Sequence, residues 1–161
     1  MITHDVNRGK GSALRSGFEH FLERGDWPYV ATVDADGQHD PHEIPRMMEM
    51  LQRESIDLLI GSRQFELGKM PFKRWIANKV SSFVISLCIR ARIRDIQSGY
   101  RIYSRTLLQR IFPHIQASGF EIETELLVLA LRHQAVIREI PIPSIYSEGS
   151  NASSNWRAFH D

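Results

Sequence analysis

Two aspartates separated by one residue, Asp34 and Asp36, follow the apolar run Tyr29-Val-Ala-Thr-Val33. At the carboxyl end of a parallel strand, where open α/β sheets bind ligands, such a pair can give a hard divalent cation its oxygen ligands. One or two carboxylates suffice, because phosphate oxygens fill the remaining positions. Mg²⁺ or Mn²⁺ held there would orient a diphosphate and neutralise charge as the bond to a leaving group breaks. Gly37 permits a tight turn, and Gln38 and His39 are within reach of the same place. An isolated Asp-x-Asp is more often an acidic loop or an Asx turn, so its company elsewhere in the chain carries the argument.

Upstream, Lys10 stands between Gly9 and Gly11 just before a helical pattern, with Asn7 preceding it. Glycines beside a lysine allow an anion to approach closely, and the helix start adds a favourable field. The spacing is not that of a P-loop. Downstream, Arg101 has the donor fork and Ser98 the hydroxyl that a phosphate would need. Glu121, Glu123 and Glu125 alternate at a helix entry, where capping and solvation can account for at least one of them. Arg90, Arg92 and Arg94 follow a long apolar segment, an arrangement suited to anionic headgroups or, equally, to a core helix with a basic end.

The elements that must position these residues alternate in type. A helix is expected over Ser12–Glu23, with Leu14, Phe18, Phe21 and Leu22 on one side. Tyr29–Val33 reads as a strand covered on both faces, because it hardly alternates. Asp40-Pro41 opens a helix carrying Ile44, Met47, Met48 and Leu51, and Asp57–Gly61 is a second strand. A helix over about 72–89 shows a wide apolar face. Gly99–Tyr103 reads as a strand, Thr106–Phe112 and Glu123–His133 as helices, and Val136–Ile142 as a last strand near a sheet edge because of its prolines. Strands and helices joined by short links indicate an α/β fold with a mostly parallel sheet flanked by helices.

Composition limits the alternatives. The chain has 161 residues, 42% of them hydrophobic and 24% charged, enough for one sizeable core. Lysine plus arginine number 20 against 19 acidic residues, so no general nucleic-acid affinity is indicated. The single cysteine, Cys88, excludes a disulfide framework within one chain and lies in an apolar run that reads as core. The start has no apolar signal segment, and no stretch is long enough for a membrane span. A cytoplasmic location, at the cytoplasmic face of the membrane, is the expectation.

Five segments, in order, resemble family 2 glycosyltransferases of the GT-A fold. Within that family they resemble especially the branch of dolichyl-phosphate mannose synthase and the bacterial polyprenyl-phosphate glycosyltransferases. The segments are Asn7–Ala13 with Gly17, Val33–Pro41, Gly61-Ser-Arg63, Asp95–Arg101 and Gly119–Glu125. Members usually begin with a strand, a helix and a second strand that hold the nucleoside. Here the chain opens almost at the lysine-glycine segment. The resemblance therefore implies a truncated GT-A domain over residues 1–145, followed by a mobile substrate-covering loop or tail over 146–161. A homodimer or partner chain could cover the missing part.

The resemblance also implies roles. Asp34, Asp36 and Gln38 would hold Mg²⁺ or Mn²⁺. Asn7, Lys10, Gly11, Asp34, Asp36 and Arg63 would meet a GDP- or UDP-hexose. Asp95 would be the general base or anionic orienter, with Arg101 and Glu123 in the catalytic set. Ser98 and Arg101 would meet the phosphate of a polyprenyl acceptor. The implied reaction is inverting transfer of a hexose to that lipid phosphate. The alternatives are a catalytically silent binding domain or a nucleotidyltransferase; Asp95–Arg101 argues against the latter.

Overall fold

The computed structural model describes residues 2–63 and 93–143. The helix expected over 72–89, Cys88, Arg90, Arg92 and the tail over 146–161 lie outside the described residues. In chain order the elements are α1 (Gly9–Glu23), β1 (Tyr29–Thr32), a 3₁₀ turn (Pro41–Glu43), α2 (Ile44–Glu54), β2 (Leu58–Arg63), β3 (Arg101–Ser104), α3 (Arg105–Ile111), a second 3₁₀ turn (Phe112–His114), α4 (Ile122–Arg132) and β4 (Ile137–Ile142).

The sheet has the order β1-β3-β2-β4. β2 and β4 are parallel, and β3 runs antiparallel to both β1 and β2. Three strands thus share one direction and β3 opposes them, giving a mixed sheet. The register pairs Arg101 with Thr32 on one side and with Ile60 on the other. The start of β3 is therefore flanked by the carboxyl ends of β1 and β2, which draws the turn after β1, the end of β2 and the 95–101 segment to one end of the sheet.

Alternation along β2 and β3 divides the core between the two faces. Leu58, Ile60 and Tyr103 pack against Phe18 and Phe21 of α1, Leu107, Leu108 and Ile111 of α3, and Ile122, Leu126 and Leu127 of α4. Leu59 and Ile102 face the other way, onto Met47 and Leu51 of α2 with Tyr100, Ile140 and Ile142. β2 is buried along nearly its whole length, as expected for a covered strand.

β1 differs from expectation. Ala31 and Val33 are exposed and the remainder of the strand is only half-buried. Lack of alternation predicts burial on both faces. The physical reason for the difference is its place in the sheet: among the described residues β1 pairs with β3 alone. An edge strand is less covered than a central one.

Polar side chains fasten the joints. Asp57 accepts from the Ser104 hydroxyl at 3.1 Å and from the Val136 N–H at 2.9 Å, tying together the ends of β2, β3 and β4. Ser104 also accepts from the Leu107 N–H at 3.1 Å, capping α3. Arg105 donates to the carbonyls of Phe21, Leu22 and Trp27 and lies over the Phe21 ring, satisfying groups that the end of α1 leaves open.

α1 begins three residues earlier than its apolar pattern suggests, at Gly9 rather than Ser12. The backbone of Ser118 explains the early start. The Ser12 N–H donates to the Ser118 carbonyl at 3.3 Å, and a Cβ on Gly11 would come within 2.4–2.7 Å of Ser118 main-chain atoms. Such distances require backbone movement, so Gly11→Ala should destabilise the chain by about 1–3 kcal/mol. Gly17 of the same helix has nothing near its absent Cβ, and Gly17→Ala should instead stabilise by about 0.5–1 kcal/mol. Urea unfolding of both variants checks this pair of opposite signs; equal effects would contradict the packing account.

Candidate active site

Asp34 lies immediately beyond β1, and its surroundings are built by four segments. The Lys10 ammonium, in the first turn of α1, donates to Asp34 Oδ1 at 2.6 Å and also forms a close ion pair with Glu123 in the first turn of α4. The Thr32 hydroxyl donates to the Gly99 carbonyl at 2.8 Å. A Cβ on Gly99 would fall 2.3–2.5 Å from the Asp34 carboxylate, so only glycine leaves space for that carboxylate. Lys10, Thr32, Asp34, Gly99, Tyr103 and Glu123 line a cavity of about 390 Å³. Burial lowers the Lys10 pKa, but hydrogen bonds and charges from Asp34 and Glu123 outweigh it, and the net shift is upward. Lys10 therefore remains a cation throughout the neutral range.

The three glutamates of the α4 entry separate by partner. Glu121 accepts from the N–H groups of Ser118 and Gly119, and Glu125 from those of Gln116 and Ala117. Glu123 alone among them reaches the cavity, where it meets Lys10. Asn7 accepts from the Gly9 N–H at 2.9 Å and Gly11 packs on Ser118, so these two shape the helix start that carries Lys10.

Asp36 is exposed. Its Oδ1 accepts from the Gln38 N–H at 3.0 Å in an Asx turn, and Gly37 takes a φ of +77°. His39 is buried, edge-to-face with Tyr100 at 5.2 Å, and its Nε2 lies 3.9 Å from Asp34 Oδ2, beyond hydrogen-bonding distance. Its Nδ1 has no hydrogen-bond partner among the described residues. Burial lowers the His39 pKa and Arg63 adds to that, against the opposing charges of Asp34, Asp36 and Asp95. The ring consequently stays neutral to lower pH than a free imidazole does.

A second group lies at the end of β2. Arg63 grips Asp95 with two side-chain hydrogen bonds, 2.7 Å from Nε and 2.9 Å from the guanidinium terminus, in the bidentate geometry of an arginine–carboxylate pair. Glu139 of β4 accepts from the Arg94 and Asp95 N–H groups and so fixes the start of this segment. The Ser98 hydroxyl donates to the Gly61 carbonyl at 2.6 Å. Arg101 is fully buried, and its guanidinium donates to the carbonyls of Ile96, Ser98 and Glu123.

Lys10, Asp34 and Glu123 are thus brought together, and Arg63 joins Asp95. Ser98 and Arg101, expected at an acceptor phosphate, have their donors committed to main-chain carbonyls, where they hold the 95–101 segment against β2 and α4. Thr32, Gly99, His39 and Glu139 entered no expectation about the site beyond the reach of His39. Glu139 did carry a signal, as an acid at a half-buried position in the apolar strand Ile137–Ile142.

The donor set Asp34, Asp36 and Gln38 fits a hard cation such as Mg²⁺ or Mn²⁺. The Lys10 ammonium already demonstrates that the Asp34 carboxylate can bear a cation at contact distance. Among the described residues no three histidine, cysteine or acidic side chains converge as a closed metal site would require. A metal here would depend on phosphate oxygens to complete its shell. No helix among the described residues is long and apolar enough to cross a membrane.

Comparison with known proteins gives a consistent result. The family model for glycosyl transferase family 2 matches residues 1–112. The UDP-N-acetylglucosamine–dolichyl-phosphate N-acetylglucosaminyltransferase of Methanococcus voltae is 30% identical over 167 residues, covering 99% of this chain and 66% of that protein. The undecaprenyl-phosphate mannosyltransferase of Micrococcus luteus is 32% identical, covering 92% of this chain and 61% of that protein. Among solved structures, glucosyl-3-phosphoglycerate synthase of Mycobacterium tuberculosis in complex with Mn²⁺, UDP-glucose and phosphoglyceric acid shares the fold. It has a TM-score of 0.62 and 20% identity over 87% of this chain and 47% of that one. The chain spans about half to two thirds of the length of these relatives.

Burial of Glu139 raises its pKa, and the hydrogen bonds from Arg94 and Asp95 oppose that rise without cancelling it. A carboxyl whose folded pKa lies above 4.5 stabilises the fold most below that value, and the contribution is lost as pH rises through the folded pKa. Glu139→Gln keeps an acceptor for both N–H groups and removes the charge. Its stability relative to wild type should therefore increase from pH 4.5 to 7, measured by urea unfolding across that range. A difference independent of pH would refute the assignment.

Proposed function

The chain belongs to glycosyltransferase family 2, and on that premise we propose that it supplies the metal and acceptor side of an inverting hexosyl transfer. The donor is a GDP- or UDP-hexose and the acceptor a polyprenyl phosphate or related lipid phosphate. The observation that carries this reading is the contact of Asp34 with Lys10, beside the exposed Asp36 and against Gly99.

In this reading Asp34, Asp36 and Gln38 would hold Mg²⁺ or Mn²⁺, which when bound would supply charge neutralisation to a leaving nucleotide. Lys10 stands beside the donor diphosphate at the start of α1, where its charge and the helix field act in the same sense. Asp95, held in place by the Arg63 guanidinium, orients the acceptor side. A lipid phosphate is already anionic at neutral pH, so proton removal contributes little and positioning contributes most. Ser98 and Arg101 act by holding the 95–101 segment in register with β2, Glu123 by holding Lys10. Peripheral contact with a membrane surface would bring the lipid phosphate to this end of the sheet.

A second reading, a catalytically silent binding or interaction domain, draws on the half-exposed β1. Calorimetric titration with UDP- and GDP-sugars, with and without Mn²⁺, followed by an assay of transfer to a short polyprenyl phosphate, separates the two. Metal-dependent binding that is lost in Asp36→Ala, with transfer, supports the first reading. Binding without transfer supports the second, and metal-independent binding unaffected by Asp36→Ala would overturn the proposed site.

A further inference from the structure

The geometry points to Lys10 as an internal cation that occupies the metal position on Asp34 until donor nucleotide draws it away, with Glu123 as the seat that retains it. This inference rests on the reading that Asp34 holds a divalent cation.

The Lys10 Nζ is 2.6 Å from Asp34 Oδ1 and in close contact with Glu123 Oε1. One ammonium thus serves two carboxylates, of which Glu123 is nearly buried, at 7% side-chain exposure, and Asp34 is at 26%. Glu123 is also the more firmly placed. It lies in the first turn of α4, and its carbonyl accepts from Arg101 at 2.7 Å. Asp34 follows the half-exposed β1, on a turn whose next residues are exposed.

A divalent ion arriving on Asp34 meets a positive charge at contact distance and must displace it. Lysine is a point charge on a flexible stem, so displacement requires only a swing of the ammonium about its stem, with Glu123 still attached. The freed donors would then be available to a diphosphate beside Asp34. The nucleotide supplies the negative charge that draws Lys10 off Asp34, and the metal fills the position vacated. Metal and nucleotide are therefore positively coupled, and reciprocally so. The upward shift of the Lys10 pKa agrees with the double ion pair.

The test measures Mn²⁺ binding to the 161-residue chain without nucleotide, by the electron paramagnetic resonance signal of free Mn²⁺. Lys10→Gln should bind Mn²⁺ about five- to tenfold more tightly than wild type, because the competing charge is gone. Lys10→Arg keeps the charge and should bind as wild type does. Glu123→Gln leaves Lys10 on Asp34 alone and removes nearby negative charge, so its Mn²⁺ affinity should fall. General disruption of the site would move Lys10→Gln and Glu123→Gln in the same direction, and thermal unfolding confirms that each variant is folded. Adding UDP or GDP should tighten Mn²⁺ binding in wild type and do so less in Lys10→Gln. Unchanged or weaker Mn²⁺ binding in Lys10→Gln, with binding still lost in Asp36→Ala, overturns the exchange and leaves the metal-site reading intact. Absence of Mn²⁺ binding in all variants, nucleotide present, overturns both.

Discussion

The Asp34 carboxylate can occupy its position only because residue 99 has no side chain. A Cβ there would lie inside van der Waals distance of all three carboxylate atoms. The same contact sets the distance between the turn after β1 and the approach to β3. Thr32 reinforces it by donating to the Gly99 carbonyl, and the antiparallel register of β1 and β3 maintains it along the sheet. Lys10 contacts the carboxylate so placed, Glu123 shares the same ammonium, and His39 lies nearby.

The two charged groups at this end of the sheet are built differently. Around Asp34 the ion pairs are partly exposed and shared, one ammonium between two acids, an arrangement that can be rearranged at modest cost. Around Asp95 the pair is bidentate, with the carboxylate buried and the arginine partly so, and the segment is pinned further by Glu139, Ser98 and Arg101. The contrast suits the proposed division of labour, a donor side that exchanges ions and an acceptor side that holds its shape.

Local patterns disclosed most of the elements, because apolar spacing follows helix and strand periods wherever one face is buried. Phe18, Phe21, Met47 and Leu51 are core residues as their spacing suggests. Two misreadings have physical causes. Gly9-Lys-Gly11 has the propensity of a turn, yet packing on Ser118 makes it helical. The uniform apolarity of Tyr29–Val33 resembles a covered strand, whereas the strand is half-exposed and has a single neighbour in the sheet among the described residues. The candidate site was legible as residue types and less so as pairs. Lys10 with Glu123 and Arg63 with Asp95 join segments distant in sequence, and only the insertion of β3 between β1 and β2 brings them together. Among the three acids of the α4 entry, sequence alone gave no order. Main-chain hydrogen bonds occupy Glu121 and Glu125 and leave Glu123 for the cavity.

The central claim is that a divalent cation and a nucleoside diphosphate meet between the start of α1, the turn after β1 and the 95–101 segment. Paramagnetic broadening of backbone amide NMR signals by Mn²⁺, recorded with UDP or GDP present, tests it most directly. The account predicts selective loss of the signals of Asp34 to Gln38, Lys10 and Gly99, while those at the far end of α4 persist. Broadening centred instead on the cleft between Pro113 and His133, with Asp34 and Gly99 unaffected, would contradict it.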